Sequence, residues 1–136
     1  MCGEAAEDLF VTALGEANLN ARSGAAGGGG LAIGFGDGTA FGGRFLLSGG
    51  RPLRVLEAGL FFRCYLPSFR GHEGFFAQGE LGNSIVYGEG RWTGDFYGGL
   101  ALGWRFMFGN HWYLEPFVRG GYPFIAGGGI GVGFRR

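Results

Sequence analysis

The chain has 136 residues and a formal charge of zero, so it is one domain by size and offers no basic surface for nucleic acid. All 11 cations are arginine, which removes a P-loop lysine and Schiff-base chemistry. Its 33 glycines follow no Gly-X-Y period, which excludes collagen, and 17% aromatic content argues against low-complexity disorder.

Residues 1–8 read as a flexible tail ahead of a single domain. Met1-Cys2-Gly3-Glu4 has neither the basic start nor the apolar core of a secretory leader, so the sequence reads as a mature form or as one with a misplaced start. Cys2 in that tail and Cys64 on an apolar face make no disulfide framework, and no bridge is expected. The longest uncharged run, between Arg119 and Arg135, is glycine-filled and shorter than the roughly 18 residues of a membrane helix.

A period of two runs through the rest of the chain, the mark of strands with two unlike faces. Residues 9–19 set Leu9, Val11, Ala13, Gly15, Ala17 and Leu19 against Thr12, Glu16 and Asn18, although this segment also has the look of a helix start. Residues 29–36 oppose Leu31, Ile33 and Phe35 to glycine and alanine. Residues 40–48 oppose Phe41, Phe45 and Leu47 to Ala40, Arg44 and Ser48. In 54–66 the even positions from Leu56 to Leu66 are apolar, while the odd ones include Glu57, Phe61, Arg63 and Tyr65. Residues 75–86 oppose Leu81 and Ile85 to Gln78, Glu80 and Ser84. In 95–108, Phe96, Leu100, Leu102, Trp104, Phe106 and Phe108 oppose Tyr97, Gly99, Ala101, Gly103 and Arg105. Residues 111–120 set Trp112, Leu114, Pro116 and Val118 against His111, Tyr113, Glu115, Phe117 and Arg119. Residues 126–134 alternate Ala126, Ile130, Val132 and Phe134 with glycine. That makes eight segments, and antiparallel membrane barrels use even numbers.

The connections fit that count. "FGDG" (35–38) and "FGNH" (108–111) read as tight hairpin turns. "NARSGAAGG" (20–28) and "VYGEGRWTGD" (86–95) read as longer polar loops on the opposite, external side. "PSFRGHEG" (67–74) is long for a periplasmic turn. Strands of about ten residues, rising about 3.3 Å each and tilted about 40°, span about 25 Å, the height of an outer-membrane apolar band. The fold expected is all-β: an eight-stranded antiparallel up-and-down transmembrane barrel with a filled polar interior.

The charges then share one compartment. Arg44, Glu57, Arg63, Glu80, Arg105, Glu115 and Arg119, with Glu16 if the first strand is right, point into the lumen as a neutral set. Eight strands enclose a space that side chains fill, and glycines on that face leave room for guanidinium arms to reach carboxylates. A half-made buried pair is costly, so each arginine is expected to find an acid.

"GGLALGWRFMFGNHWYLEPFVRGGYPFIAGGGIGVGF" (98–134) resembles the C-terminal hairpins of small bacterial outer-membrane β-barrel proteins, particularly eight-stranded ones of spirochaete type. The resemblance is one of pattern, good over 54–134 and limited to alternation over 1–53. It implies an outer-membrane address, insertion by the barrel-assembly machinery, and no catalytic residues. The sequence departs from the pattern at its end, where Arg135 and Arg136 follow Phe134 in place of a terminal aromatic.

Little else carries chemistry. His72 and His111 fall at turns without a cysteine or carboxylate cluster, so no metal is expected. No cofactor is expected either; Gly27-x-Gly29-x-x-Ala32 lacks the helix that a dinucleotide fingerprint needs. Glu57 and Glu80 could mimic an acid/base dyad, but arginine neighbours would hold both ionised, and no enzyme is expected. Trp104 and Trp112, with Phe134, suit a membrane-interface girdle better than a ligand box. The function expected is an integral outer-membrane barrel with a structural or surface role and no wide pore, its partners the lipid bilayer and an external ligand at 86–95. The alternatives are a channel for small or hydrophobic solutes and a soluble lipocalin-like carrier. The carrier would be apolar inside and polar outside.

Overall fold

The period-two pattern produces eight strands: β1 (Leu9–Asn20), β2 (Gly24–Asp37), β3 (Thr39–Gly49), β4 (Arg54–Leu66), β5 (Gly74–Gly88), β6 (Arg91–Phe108), β7 (Trp112–Tyr122) and β8 (Phe124–Arg135). They come from a computed structural model that describes residues 9–20, 24–37, 39–49, 54–66, 74–88, 90–122 and 124–136. Each strand pairs antiparallel with its neighbours in sequence, and β1 pairs with β8, so the sheet closes into an eight-stranded barrel. Closure leaves no edge strand and satisfies the ladder internally, which is what a strand protein needs in a medium without water. Among the described residues no helix is present that could cross a membrane.

Leu9–Asn20 is a strand throughout, paired from Leu9↔Phe35 to Asn20↔Gly24 on one side. β1 starts and β8 ends at one rim, the terminal rim, where β2, β4 and β6 end and β3, β5 and β7 begin. The remaining strand ends form the opposite rim. At the terminal rim, Gly109 takes φ 66° in the three-residue reversal between Phe108 and Trp112, a left-handed value that glycine adopts cheaply. The seam reaches the last residues: Arg135 N donates to His111 O at 2.7 Å, and Arg136 N to Leu9 O at 2.9 Å.

Two expected loops are strand instead. The stretch 24–28 belongs to β2, with Gly27↔Gly49 and Gly28↔Ser48 pairing across to β3. At Gly28 and Gly30 a Cβ would run into the β3 backbone around Leu46 and Ser48, so the glycine run lets the two strands approach closely. The stretch 86–95 is a hairpin rather than a loop: β5 runs to Gly88, β6 starts at Arg91, and Val86↔Thr93 and Tyr87↔Trp92 continue the ladder. Because β7 ends at Tyr122, opposite Gly98, this ribbon stands clear of its neighbour. Residues 91–94 are exposed on both faces. The turn at 67–73, with His72, and Cys2 in the tail lie outside the described residues.

The two faces are unlike. Large apolar side chains point outward, among them Phe41, Phe45, Leu60, Phe62, Leu81, Leu100 and Val118; Leu60 and Leu100 are each 71% exposed. Inward, Phe10, Phe61, Tyr65, Phe76 and Tyr113 pack together near the terminal rim. In water such an outer surface would be an aggregation liability; against lipid it is the ordinary surface of a barrel.

Candidate functional site

Strand parity turns every charged residue of the strand centres inward, and there the charges sort into two layers. Near the terminal rim, Arg63 on β4, Arg105 on β6 and Glu115 on β7 form a triad. Glu115 accepts from Arg63 Nη1 at 2.8 Å (Oε1) and 2.7 Å (Oε2), and its Oε1 also accepts from Arg105 Nε at 2.8 Å and Nη2 at 2.6 Å. Rings surround both cations. The Arg63 guanidinium lies 3.9 Å from the Phe76 ring centre, and that of Arg105 lies 3.8 Å from Tyr113 and 4.7 Å from Phe10. Such contacts stabilise a desolvated cation by about 2 kcal/mol. Tyr113 is fixed in turn by a 2.5 Å hydrogen bond with Thr12 across the β1–β7 gap.

The second layer lies toward the opposite rim. Arg44 on β3 pairs with Glu16 of β1 and, at 3.1 Å, with Glu80 of β5. Arg119 on β7 reaches three carboxylates: Glu16 Oε2 at 3.0 Å, Glu57 Oε2 at 3.2 Å and Glu80 Oε2 at 3.2 Å. Tyr97 OH donates to Glu80 Oε2 at 2.6 Å and accepts from Arg44 Nη1 at 3.1 Å. Gln78 links the layers, its Oε1 accepting from Arg63 Nε and its Nε2 donating to Glu80 Oε1, each at 2.8 Å. A cavity of about 20 Å³ lies between the layers, lined among others by Ala32, Arg44, Gln78 and Glu80.

All seven charged positions singled out in the sequence are therefore buried in the lumen, together with Glu16. The layers differ in charge: the triad has two arginines against one glutamate, the other has two arginines against three glutamates. Tyr97, Gln78, Tyr65 and Thr12 also belong to the network; their inward parity was legible, but an uncharged polar residue gives no sign of which partner it meets. Chemically the arrangement cross-links strands. Glu57 and Glu80, the apparent dyad, both pair with Arg119. Among the described residues no three His, Cys, Asp or Glu side chains group as a metal site.

The aromatic trio lies elsewhere, on the outer surface of the terminal rim. Trp112 and Phe134 meet edge to face with ring centres 5.3 Å apart, and His111 stacks on Phe134 at 5.4 Å. Trp104 packs against Phe106 at 6.2 Å. All three aromatics are exposed. At the far rim, the Tyr87 and Trp92 rings meet at a tilt of 46° with centres 4.6 Å apart on the projecting hairpin.

This geometry has close counterparts among solved structures. The N-terminal β-barrel domain of Pseudomonas aeruginosa OprF is similar with a TM-score of 0.69 and 13% identity, over 96% of this chain and 98% of that one. The fold is that of small eight-stranded outer-membrane β-barrels. The outer membrane protein OprG of Pseudomonas aeruginosa is similar with a TM-score of 0.65 and 10% identity, over 96% of each chain. Neisserial surface protein A is similar with a TM-score of 0.60 and 13% identity, over 94% of each. At these identities the likeness is one of fold alone. No family model matches the sequence, and no curated protein matches it either.

Proposed function

We propose that the chain is an integral outer-membrane barrel with a structural or surface-interaction role and no wide pore. The observation that carries this reading is the triad of Arg63, Arg105 and Glu115, which fills the lumen among five buried rings while the large apolar residues face outward. In this orientation the terminal rim faces the periplasm, and Trp104, Trp112 and Phe134 form part of an interfacial girdle. Arg44, Glu57, Arg63, Glu80, Arg105, Glu115 and Arg119 act as ties across the lumen rather than as a catalytic set. The partners are the lipid bilayer and, during insertion, the barrel-assembly machinery. An external ligand would meet the hairpin at 86–95, where Tyr87 and Trp92 are exposed. The spirochaete-type kinship belongs to the same reading and rests on the pattern in residues 54–134.

A hydrophobic-solute channel needs an apolar tunnel, and the described lumen is lined by ions. A lipocalin-like carrier needs the reverse placement of polar and apolar faces. Conductance in a planar lipid bilayer tests the reading: refolded protein should give no steady open state. A stable, uniform conductance from every inserted barrel would overturn it and make transport the function.

A further inference from the structure

Arg44, Arg63, Arg105 and Arg119 turn inward and meet glutamates, whereas Arg54 does the reverse. It opens β4 at an even position, the parity of Leu60 and Phe62, so it lies on the outer face, and it is exposed. Among the described strand residues it is the one arginine at an outward position, and no described carboxylate pairs with it. The ladder orders its neighbours. Tyr87 of β5 is the direct partner of Arg54, and Trp92 of β6 is the direct partner of Tyr87. Directly paired side chains share a face, with Cβ atoms about 5 Å apart. The Tyr87 and Trp92 ring centres are 4.6 Å apart. Guanidinium, phenol and indole thus form one row with no strand skipped between consecutive members. Gly49, the partner of Arg54 on β3, adds no side chain to that row. The next outward row toward the terminal rim is Leu47, Leu56, Ile85 and Gly94, which is apolar. Height is set by β6, where Trp92 precedes Trp104 by 12 positions. At about 3.3 Å per residue and a tilt of about 40°, that is about 30 Å along the barrel axis, the thickness of a bilayer's hydrocarbon core. With Trp104 in the periplasmic girdle, the Arg54 row falls at the outer head groups.

We propose that Arg54, Tyr87 and Trp92 form a site for the phosphate of an anionic lipid in the outer leaflet. The site rests on the outer-membrane placement proposed above and gives the hairpin a ligand of stated chemistry. A guanidinium presents paired N–H donors that match phosphate oxygens. The Tyr87 hydroxyl and the Trp92 indole N–H are further donors in the same row. The apolar row beneath receives the acyl chains. That continuity selects a lipid over a free phosphate, which would gain nothing from Leu56 and Ile85.

The test places the full chain in phosphatidylcholine vesicles with phosphatidylglycerol added stepwise at fixed pH and ionic strength. The readout is the temperature at which the folded gel band converts to the unfolded one. That midpoint should rise with the phosphatidylglycerol fraction, as for any ligand of the native state. Arg54→Gln should need about fivefold more phosphatidylglycerol for the same rise. Tyr87→Leu should also weaken the response, and it carries the test if the glutamine variant does not fold. Arg91→Gln, at the hairpin tip but off the row, should match wild type. Inorganic phosphate replacing chloride around pure phosphatidylcholine vesicles should leave the midpoint unmoved. A flat wild-type profile would overturn the inference. So would a response unchanged in Arg54→Gln, an equal loss in Arg91→Gln, or an equal rise with inorganic phosphate. Each of those results, from a chain that has inserted, leaves the outer-membrane reading standing. A chain that does not enter phosphatidylcholine vesicles at all overturns both.

Discussion

Replacing Glu115 with alanine removes the one carboxylate of the triad and leaves Arg63 and Arg105 facing each other. Glu115 is 2% exposed, Arg105 1% and Arg63 6%, so solvent screens none of the three well. Four charge-assisted hydrogen bonds disappear. At about 1.5–3 kcal/mol each they would sum to more than the real cost, because they share donors and acceptors. Arg63 also keeps Gln78, Tyr65 and the Phe76 face. Removing one partner of a buried ion pair costs about 3–5 kcal/mol, and with two cations stranded the upper half of that range applies. Urea unfolding in detergent, followed by tryptophan fluorescence, reads it: about 4 kcal/mol over a slope of about 2 kcal/mol per molar moves the midpoint by roughly 2 M. The companion variant replaces Arg63 and Arg105 with Met and Glu115 with Leu. It should recover most of the loss, since an apolar trio leaves no buried charge behind. A single variant within about 1 kcal/mol of wild type would refute the reasoning, because it would mean that water reaches the triad. So would a triple variant as unstable as the single one.

Other positions give sharp contrasts. Leu60→Arg, at the middle of β4 on the outer face, should cost about 2–4 kcal/mol in a bilayer; a neutral result in lipid vesicles would argue against a lipid-facing surface. Gly34→Ala should cost about 1–3 kcal/mol through overpacking, since a Cβ there would lie 2.8 Å from both Cε atoms of the buried Phe10 ring. Gly79→Ala, where a Cβ meets nothing within 4 Å, should stay within about 0.5 kcal/mol in the same urea assay. Gly109→Ala strains the β6–β7 reversal at φ 66° and should lower stability by about 1 kcal/mol without changing the heat-shifted band.

The barrel was legible because parity is a local signal. Leu60, Phe62, Glu57 and Arg63 fall on opposite faces whatever the rest of the chain does, so the inward and outward sets follow from residue order alone. The strand ends at 24–28 and 86–95 were not legible. Glycine and polar residues there mean loop by local chemistry, but Gly28 is strand because it lets β2 close on β3, and Thr93 because Val86 faces it. Both are relations between strands. The pairing of charges was equally hidden, since Arg119 reaches Glu16 from more than a hundred residues away in sequence. So was the division into two layers, because height in the lumen depends on the stagger between strands as well as on position within them.

Refolding the full chain with and without detergent tests the central claim most directly, with circular dichroism and gel mobility before and after boiling as readouts. A β spectrum that forms only with detergent, with a band that shifts on heating, is the result expected of outward rings and an ionic lumen. A monodisperse β protein folded in plain buffer would contradict it, since Leu60, Leu100 and their neighbours would then have to face water.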